Sequence, residues 1–330
     1  MNLICRAAIQ KDFAAFYESC YFRDRVNVSL RAIVAHEWQA LLKNPNTLSL
    51  VMEDVARRED QRLVGCCQLV FVTDGFVSWS ESAPSPGGNV QATHPLPDGS
   101  WPLLTPSEVA AANAEAGLNA LFTRWARADA LLSLEEKRGV GRVMHDAFMS
   151  LTRGYQFREI LIDVIGEPAR EAALRAGFLD RNRYEAHFAE HPVPDTQRPF
   201  LMGITRSEAF TRDGYVMSHY FSHVSPRFGL SPREQEMLDA CLRLPEATNE
   251  DLAHALGASL NTVKNRWLSI YRRVGSVDPW LLPPDANTGR GPEKRRRLIQ
   301  YLREHLEELR PYKPQHKPSR RKRCPANSHM

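Results

Sequence analysis

The fold class this sequence predicts is a two-domain chain: an α/β domain with a mixed sheet, then a small all-α domain. Three observations predict it. Strand-like and helix-like stretches alternate over residues 1–210. Three short helical segments with cap and turn residues at their ends follow over residues 229–276. The charge divides near the same place: from Arg227 onward 20 Lys and Arg stand against 12 Asp and Glu, whereas the preceding residues hold 23 against 27. A basic carboxy-terminal third behind a larger acidic part is the electrostatic layout of a nucleic-acid-binding module joined to something else. A length of 330 residues suits two domains, and a hydrophobic content of 43% supplies a sizeable core.

In the amino-terminal part, Leu3-Ile4-Cys5-Arg6-Ala7 reads as a strand and residues 11–22 as a helix. Residues 48–52 and 63–72 read as an antiparallel pair around a charged turn at 56–61. Residues 74–104 are rich in Pro, Gly and Ser and read as a long surface loop. Thr105-Pro106-Ser107-Glu108 has the spacing of a capping box, and predicts an alanine-rich helix running to about residue 126. The whole stretch 74–126 therefore reads as an insertion. Beyond it come a strand at 130–134, a helix at 141–151, a strand at 159–164, and a helix at 168–176 that ends on Gly177. Two last strands are expected near 184–188 and 200–204.

This order resembles the GNAT acetyltransferases over roughly residues 2–206. The residues that carry the resemblance are Arg6 to Asp12, Leu63-Val64-Gly65, residues 132–151, and Ala172-Ala173-Leu174-Arg175-Ala176-Gly177-Phe178. Glu136-Lys137-Arg138-Gly139-Val140-Gly141-Arg142 corresponds to that family's acyl-coenzyme A pyrophosphate loop. The resemblance implies that Arg138, Gly139, Val140, Gly141 and Arg142 bind an acyl-CoA, acetyl-CoA or another. Glycines let a backbone approach a phosphate, and a helix start presents free N–H groups and a positive dipole end. The chain departs from the family pattern at three places. Glu136 stands where the loop opens with Arg or Gln, Gly166 where an Asn is common, and Ala173 where a Tyr often acts as general acid. Without that Tyr a leaving thiolate lacks an obvious proton donor, so no catalytic residue is assigned.

The segment 230–274 reads as a helix-turn-helix. Ser231-Pro232-Arg233-Glu234 is a capping box with proline at the first helical position, and Met237, Leu238 and Leu242 follow at helical spacing. Thr248-Asn249-Glu250-Asp251 opens a second helix with Leu252, Ala253 and Leu256 inside. Gly257 suits a left-handed turn residue, and Ser259 caps a third helix that buries Val263, Ile270 and Val274. The opposite face offers Asn261, Thr262, Lys264, Asn265 and Arg266. A recognition helix needs this division, because its amino-terminal half enters the major groove while its back packs on the domain. Thr262 suits a phosphate; Lys264, Asn265 and Arg266 suit base edges or phosphates.

The segment resembles the DNA-binding domain of the LuxR family of transcription regulators, from LSPREQEML through EDLAHALGAS to SLNTVKNRWLSIYRRV. It departs in the loop LRLPEATNE, where a glycine-led turn is usual, and at Trp267, where a small or polar residue is usual. What the resemblance implies is sequence-specific binding of double-stranded DNA, as a homodimer.

Residues 211–228 read as a linker and 277–330 as a basic tail. Within the tail, residues 292–310 form an amphipathic helix with Leu298, Ile299, Leu302, Leu306 and Leu309 on one side. It is expected either to pack on the helix-turn-helix or to make a dimer contact. Residues 319–323, Ser-Arg-Arg-Lys-Arg, form a second basic cluster.

Six cysteines without C-x-x-C spacing read as reduced thiols of a cytoplasmic protein. The amino terminus lacks a basic region followed by an apolar run, and no stretch approaches a membrane span. The eleven histidines lack metal-ligand spacing, so no metal is expected; His145 and Asp146, and His187 and His191, read as exposed surface residues.

The combined expectation is a DNA-binding transcription regulator whose amino-terminal domain senses a ligand or a partner protein. An active N-acetyltransferase targeted to DNA and a non-enzymatic scaffold remain the alternatives.

Overall fold

The structure is a computed structural model that describes residues 1–12, 28–212, 214–282 and 291–311. The helix expected at 11–22, the basic cluster at 319–323, Cys20 and Cys324 lie wholly or mostly outside the described residues.

Among the described residues seven strands form one sheet: β1 (Leu3–Ala7), β2 (Leu48–Asp54), β3 (Leu63–Val72), β4 (Leu118–Arg127), β5 (Phe157–Ile165), β6 (Leu179–Asn182) and β7 (Pro199–Thr205). Their order is β1-β2-β3-β4-β5-β7-β6. Only β4 and β5 run parallel; the other neighbours are antiparallel. This is the expected mixed sheet. Helices cover both faces. On one face lie α1 (Val28–Lys43), α2 (Asp74–Ser82) and α3 (Gly88–Gln91), with Trp38, Leu41 and Phe76 buried. On the other lie α4 (Pro106–Ala114), α5 (Leu134–Thr152), α6 (Glu167–Ala176) and, after α7 (Glu185–Glu190), α8 (Arg206–Thr211). Helix α5 buries Val140, Met144, Phe148 and Thr152 at four-residue spacing. Its three apolar side chains each stabilise the packing by about 1.5–3 kcal/mol.

The structure corrects several sequence expectations. Residues 74–104 are not one loop. Thr73 caps α2 by accepting the N–H of Phe76, and Phe76 is fully buried. The helix opened by Thr105 has its capping box but ends at Ala114. After Gly117 the chain forms β4, ten residues in the middle of the sheet, so the stretch to 126 is not an insertion. Burial of Leu118, Ala120, Leu121 and Phe122 overrides the helix propensity of the alanines here. The strand expected at 130–134 is a 3-10 turn, Asp129–Leu131, and α5 already begins at Leu134, seven residues before the expected start. The strand expected at 184–188 is α7; the strand lies just before it, at β6. Tyr184 turns the chain between them with φ +51°, its N–H bonded to Asn182 Oδ1 at 2.8 Å. Part of the expected linker belongs to the main core, since the 3-10 helix Val216–Phe221 buries Met217, Tyr220 and Phe221 there.

The carboxy-terminal unit has its own core. It consists of α9 (Pro232–Arg243), α10 (Asn249–Ala255), α11 (Leu260–Val277) and α12 (Gly291–Glu304), followed by a 3-10 turn at Leu306–Leu309. Of the tail residues expected on one side, Leu298, Ile299, Leu302 and Leu309 join the same apolar cluster as Met237, Leu252 and Ile270, with Leu306 packed at its edge. The tail helix therefore packs on the three-helix unit, and its regular turns end at Glu304.

Residues 305–311 form a strap between the two cores. Arg310 donates from Nη2 to Leu151 O (2.6 Å) and from Nε to Arg153 O (3.3 Å), and its guanidinium lies 4.7 Å from the Tyr155 ring centre. Arg153 pairs with Glu307 at 2.9 Å. Asn113 Nδ2 donates to Gly154 O (3.2 Å) and Pro311 O (2.6 Å). On the other side, the Glu308 carboxylate accepts the N–H groups of Arg227 and Phe228 at 3.0 Å each, and Gln235 Nε2 donates to Glu308 O at 3.0 Å. Among the described residues no helix is long and apolar enough to cross a membrane.

Candidate functional site

The local sequence builds α9 to α11 through their ends. Ser231 and Glu234 cap α9 reciprocally, and Thr248 and Asp251 cap α10 in the same way. Gly257 takes the left-handed conformation, φ +57°, that closes the turn after α10. Ser259 Oγ accepts the Thr262 N–H at 3.1 Å and starts α11. The back of α11 is buried through Val263, Trp267, Ile270 and Val274.

Trp267, the departure from the family pattern in α11, is a packing residue. Its Nε1 donates to Asn249 Oδ1 at 3.2 Å and so ties α11 to the first turn of α10. Its ring stacks on Tyr271 at 5.4 Å, and the Arg295 guanidinium lies over it at 5.3 Å.

The five residues expected to face DNA all lie on the outer side of α11, but not in one row. Asn261, Lys264 and Asn265 are exposed. Thr262 and Arg266 are half-buried on the flank toward α9, and the Thr262 hydroxyl stands 2.8 Å from Ser259 Oγ. Three exposed polar groups on an outward ridge can hydrogen-bond base edges, and the flank can reach only what lies beside the ridge.

The five residues expected to bind acyl-CoA are placed differently from expectation. Arg138, Gly139, Val140, Gly141 and Arg142 lie inside α5, not in a loop before it. Their backbone N–H groups are spent on the helix ladder. Val140 points into the core, and Arg138 and Arg142 project outward. A Cβ at Gly139 would meet Met1 Cε at 3.2 Å, and one at Gly141 would meet Arg127 Nη1 at 3.4 Å.

The true start of α5 is closed by its own side chains. Ser133 Oγ accepts the Glu136 N–H, and Glu136 Oε2 accepts the Ser133 N–H at 2.9 Å. Glu136 also pairs with Arg57 at 2.6 Å, and Arg57 pairs with Asp54 at 3.0 Å. These hydrogen bonds, those from Ser133 first, hold the Glu136 carboxyl below its usual range. Two carboxylates, Glu135 and Glu136, thus sit where a pyrophosphate would need positive potential. The segment 136–142 does not fit a pyrophosphate. Ala173 is buried and offers no proton.

The sheet itself carries a feature that no motif announced. The β4–β5 ladder ends at Phe122↔Ile162, yet β4 continues to Arg127 and β5 to Ile165. A register shift at Gln68/Leu69, opposite Thr123, accompanies the separation. Polar side chains gather beside it: Arg124 and Glu37, both buried, and Asp163. Asp163 is part-buried as a residue, but its carboxyl is enclosed. Burial pushes that carboxyl up to about 6, against the Asn89 N–H at 3.0 Å and the Arg124 charge. Burial likewise raises Glu37 and lowers Arg124, with each opposing the shift of the other. The sequence carried one trace of this cluster, Arg124 beside Phe122 and Trp125 and Asp163 among Ile160, Leu161, Ile162 and Val164.

Of the histidines, His145 is half-buried against the Tyr220 ring at 5.5 Å, so it is not the expected exposed residue. His187 and His191 face each other at 4.9 Å on α7 and just beyond it. Among the described residues no three His, Cys, Asp or Glu side chains are grouped to hold a metal ion.

No protein-family model matches the chain, and no curated protein matches it. Among solved structures, the chain is similar to FeeM, an N-acyl amino acid synthase from uncultured soil microbes, at 11% identity and a TM-score of 0.35, over 66% of this chain and 97% of that one. It is similar to the C-terminal condensation domain of Ebony in complex with beta-alanyl-dopamine, at 12% identity and a TM-score of 0.39, over 62% and 99%. It is also similar to the NatC complex bound to Gag peptide and CoA, at 10% identity and a TM-score of 0.32, over 62% and 99%.

Proposed function

We propose that the chain is a sequence-specific DNA-binding regulator of transcription, with α9 to α11 as a LuxR-type helix-turn-helix and α11 as the reading helix. One observation carries the reading. A helix with a fully buried back is entered through a capped left-handed turn, and it turns Asn261, Lys264 and Asn265 outward. The net basic charge of the chain from Arg227 onward supports the choice of a polyanion as partner. On this reading the unit binds duplex DNA as a homodimer in the cytoplasm. The amino-terminal domain, GNAT-like in its order of strands and helices, acts as a ligand- or partner-sensing module. The strap at 305–311 connects the two. The test is selection of the full chain on a pool of random duplexes. Enrichment of a defined sequence is expected, and a pool that stays random would refute the reading.

A second reading is an acyl-CoA-dependent N-acyltransferase carried to DNA. The separation of β4 from β5, with Asp163 and Arg124 beside it, favours it. The closed and acidic start of α5 and the absence of a proton donor at Ala173 oppose it. Release of free CoA from acetyl-CoA in the presence of amine acceptors would favour this second reading over the first.

A further inference from the structure

An open cavity of about 350 Å³ lies between the start of α9 and the flank of α11. Ser231, Arg233, Glu234, Thr262, Arg266 and Ser269 line it, and Asn265, which also belongs to the outward ridge of α11, forms its edge. Three features give it a chemistry. The Arg266 guanidinium forms part of the wall, and its Nη1 is enclosed with no hydrogen-bond partner among the described residues. Arg233 is exposed at the second position of α9, where its N–H has no acceptor within the helix. The hydroxyls of Ser231, Thr262 and Ser269 complete the rim. One anion also lines the cavity, the buried carboxylate of Glu234. It is already satisfied by the Ser231 N–H at 2.7 Å and by Arg273 at 3.3 Å.

The position of the cavity on α11 decides what it would hold. At 100° per residue, Asn261, Lys264, Asn265 and Leu268 form the outermost ridge. Thr262, Arg266 and Ser269 form the stripe between that ridge and the buried back. When a ridge lies in a major groove, the stripes beside it face the sugar-phosphate walls.

Resting on the DNA-binding reading, we propose that this cavity is a phosphate clamp: Arg233 and Arg266 hold one or two backbone phosphates of the duplex whose bases α11 reads. Arg266 is then a positioning contact and not a reader of bases. The unmet donor of Arg266 gains an acceptor in the complex, and the start of α9 adds its dipole.

The test uses the full chain and a labelled duplex of about 30 base pairs, with affinity measured against salt. Arg233→Gln and Arg266→Gln should each lower the slope of log affinity against log salt by about 0.9 per lost phosphate contact. Each should weaken a preferred and a scrambled duplex by the same factor, roughly 3-fold or more at low salt. Arg243→Gln, at the far end of α9 and paired with Asp239, serves as the control and should leave the slope unchanged. A wild-type slope in both cavity variants would overturn the clamp while leaving DNA binding in place. Loss of discrimination between the two duplexes on Arg266→Gln would overturn the positioning role and make Arg266 a reader. Failure of the wild type to bind any duplex would overturn the clamp together with the reading it rests on.

Discussion

Gly154 and Glu307 stand so close that a methyl group on the first would overlap the backbone of the second. A Cβ at Gly154 would lie 2.6 Å from Glu307 Cα, and the glycine has φ +86°. The turn after α5 is thus shaped to receive the strap.

Gly154→Ala should cost about 1–3 kcal/mol, from the left-handed backbone and the overlap together. The expected result in thermal unfolding followed by circular dichroism is a lower midpoint. Hydrogen exchange should also speed up at residues 305–311. Unchanged stability and unchanged protection would show that the strap does not hold the turn.

Trp267→Ala should be among the costliest substitutions in the helical unit. It removes a buried indole, the bond to Asn249 and the platform under Arg295. Large-to-small changes of this kind cost about 3–5 kcal/mol. Trp267→Phe keeps most of the ring but loses the N–H, and should cost only about 1 kcal/mol. Equal losses for the two variants would contradict the packing role of the ring.

The enclosed carboxyl of Asp163 predicts a pH dependence. Its value in the fold is raised from 3.8 to about 6. The folded chain therefore holds this proton more tightly than the unfolded chain does. The contribution is fully favourable below the unfolded value, falls as pH rises between the two values, and is flat above. Asp163→Asn should then stabilise the chain at neutral pH, by on the order of 1–2 kcal/mol once solvent screening is allowed for, and change little in acid. Denaturant unfolding at pH 4 and pH 7.5 measures this difference; the same change at both would contradict the assignment.

How far the sequence could be read depended on where its instructions were local. The caps at Thr105, Ser231, Thr248 and Ser259 are each written in four consecutive residues, and each starts a helix as expected. The ends of elements were less legible. Residues 118–127 are strand because Leu118, Leu121 and Phe122 are buried between neighbouring strands, a fact of tertiary structure that alanine-rich local sequence opposes. Residues 138–142 lie in a helix and not in the expected loop for a related reason. Ser133 and Glu136 form a capping box that draws Gly139 and Gly141 into the helix, and glycine spacing alone does not reveal a cap upstream. The trio of Glu37, Arg124 and Asp163 comes from three distant elements, so the sequence shows only its individual polar residues.

The closed start of α5 predicts an absence of turnover. The full chain should release no CoA from acetyl-CoA with amine acceptors above the rate without protein, and Gly141→Trp should change nothing in that assay. Transfer by the wild type that is lost in Gly141→Trp would contradict the non-catalytic reading.

Base reading by α11 underlies the proposed function. The most direct measurement is the affinity of the full chain for its selected duplex and for a scrambled one, before and after Lys264→Ala. Discrimination is expected to fall by about 1–3 kcal/mol, while affinity for the scrambled duplex drops only by the share of one charge. Discrimination that survives Lys264→Ala and Asn265→Ala together, or a wild type that binds both duplexes equally, would contradict it.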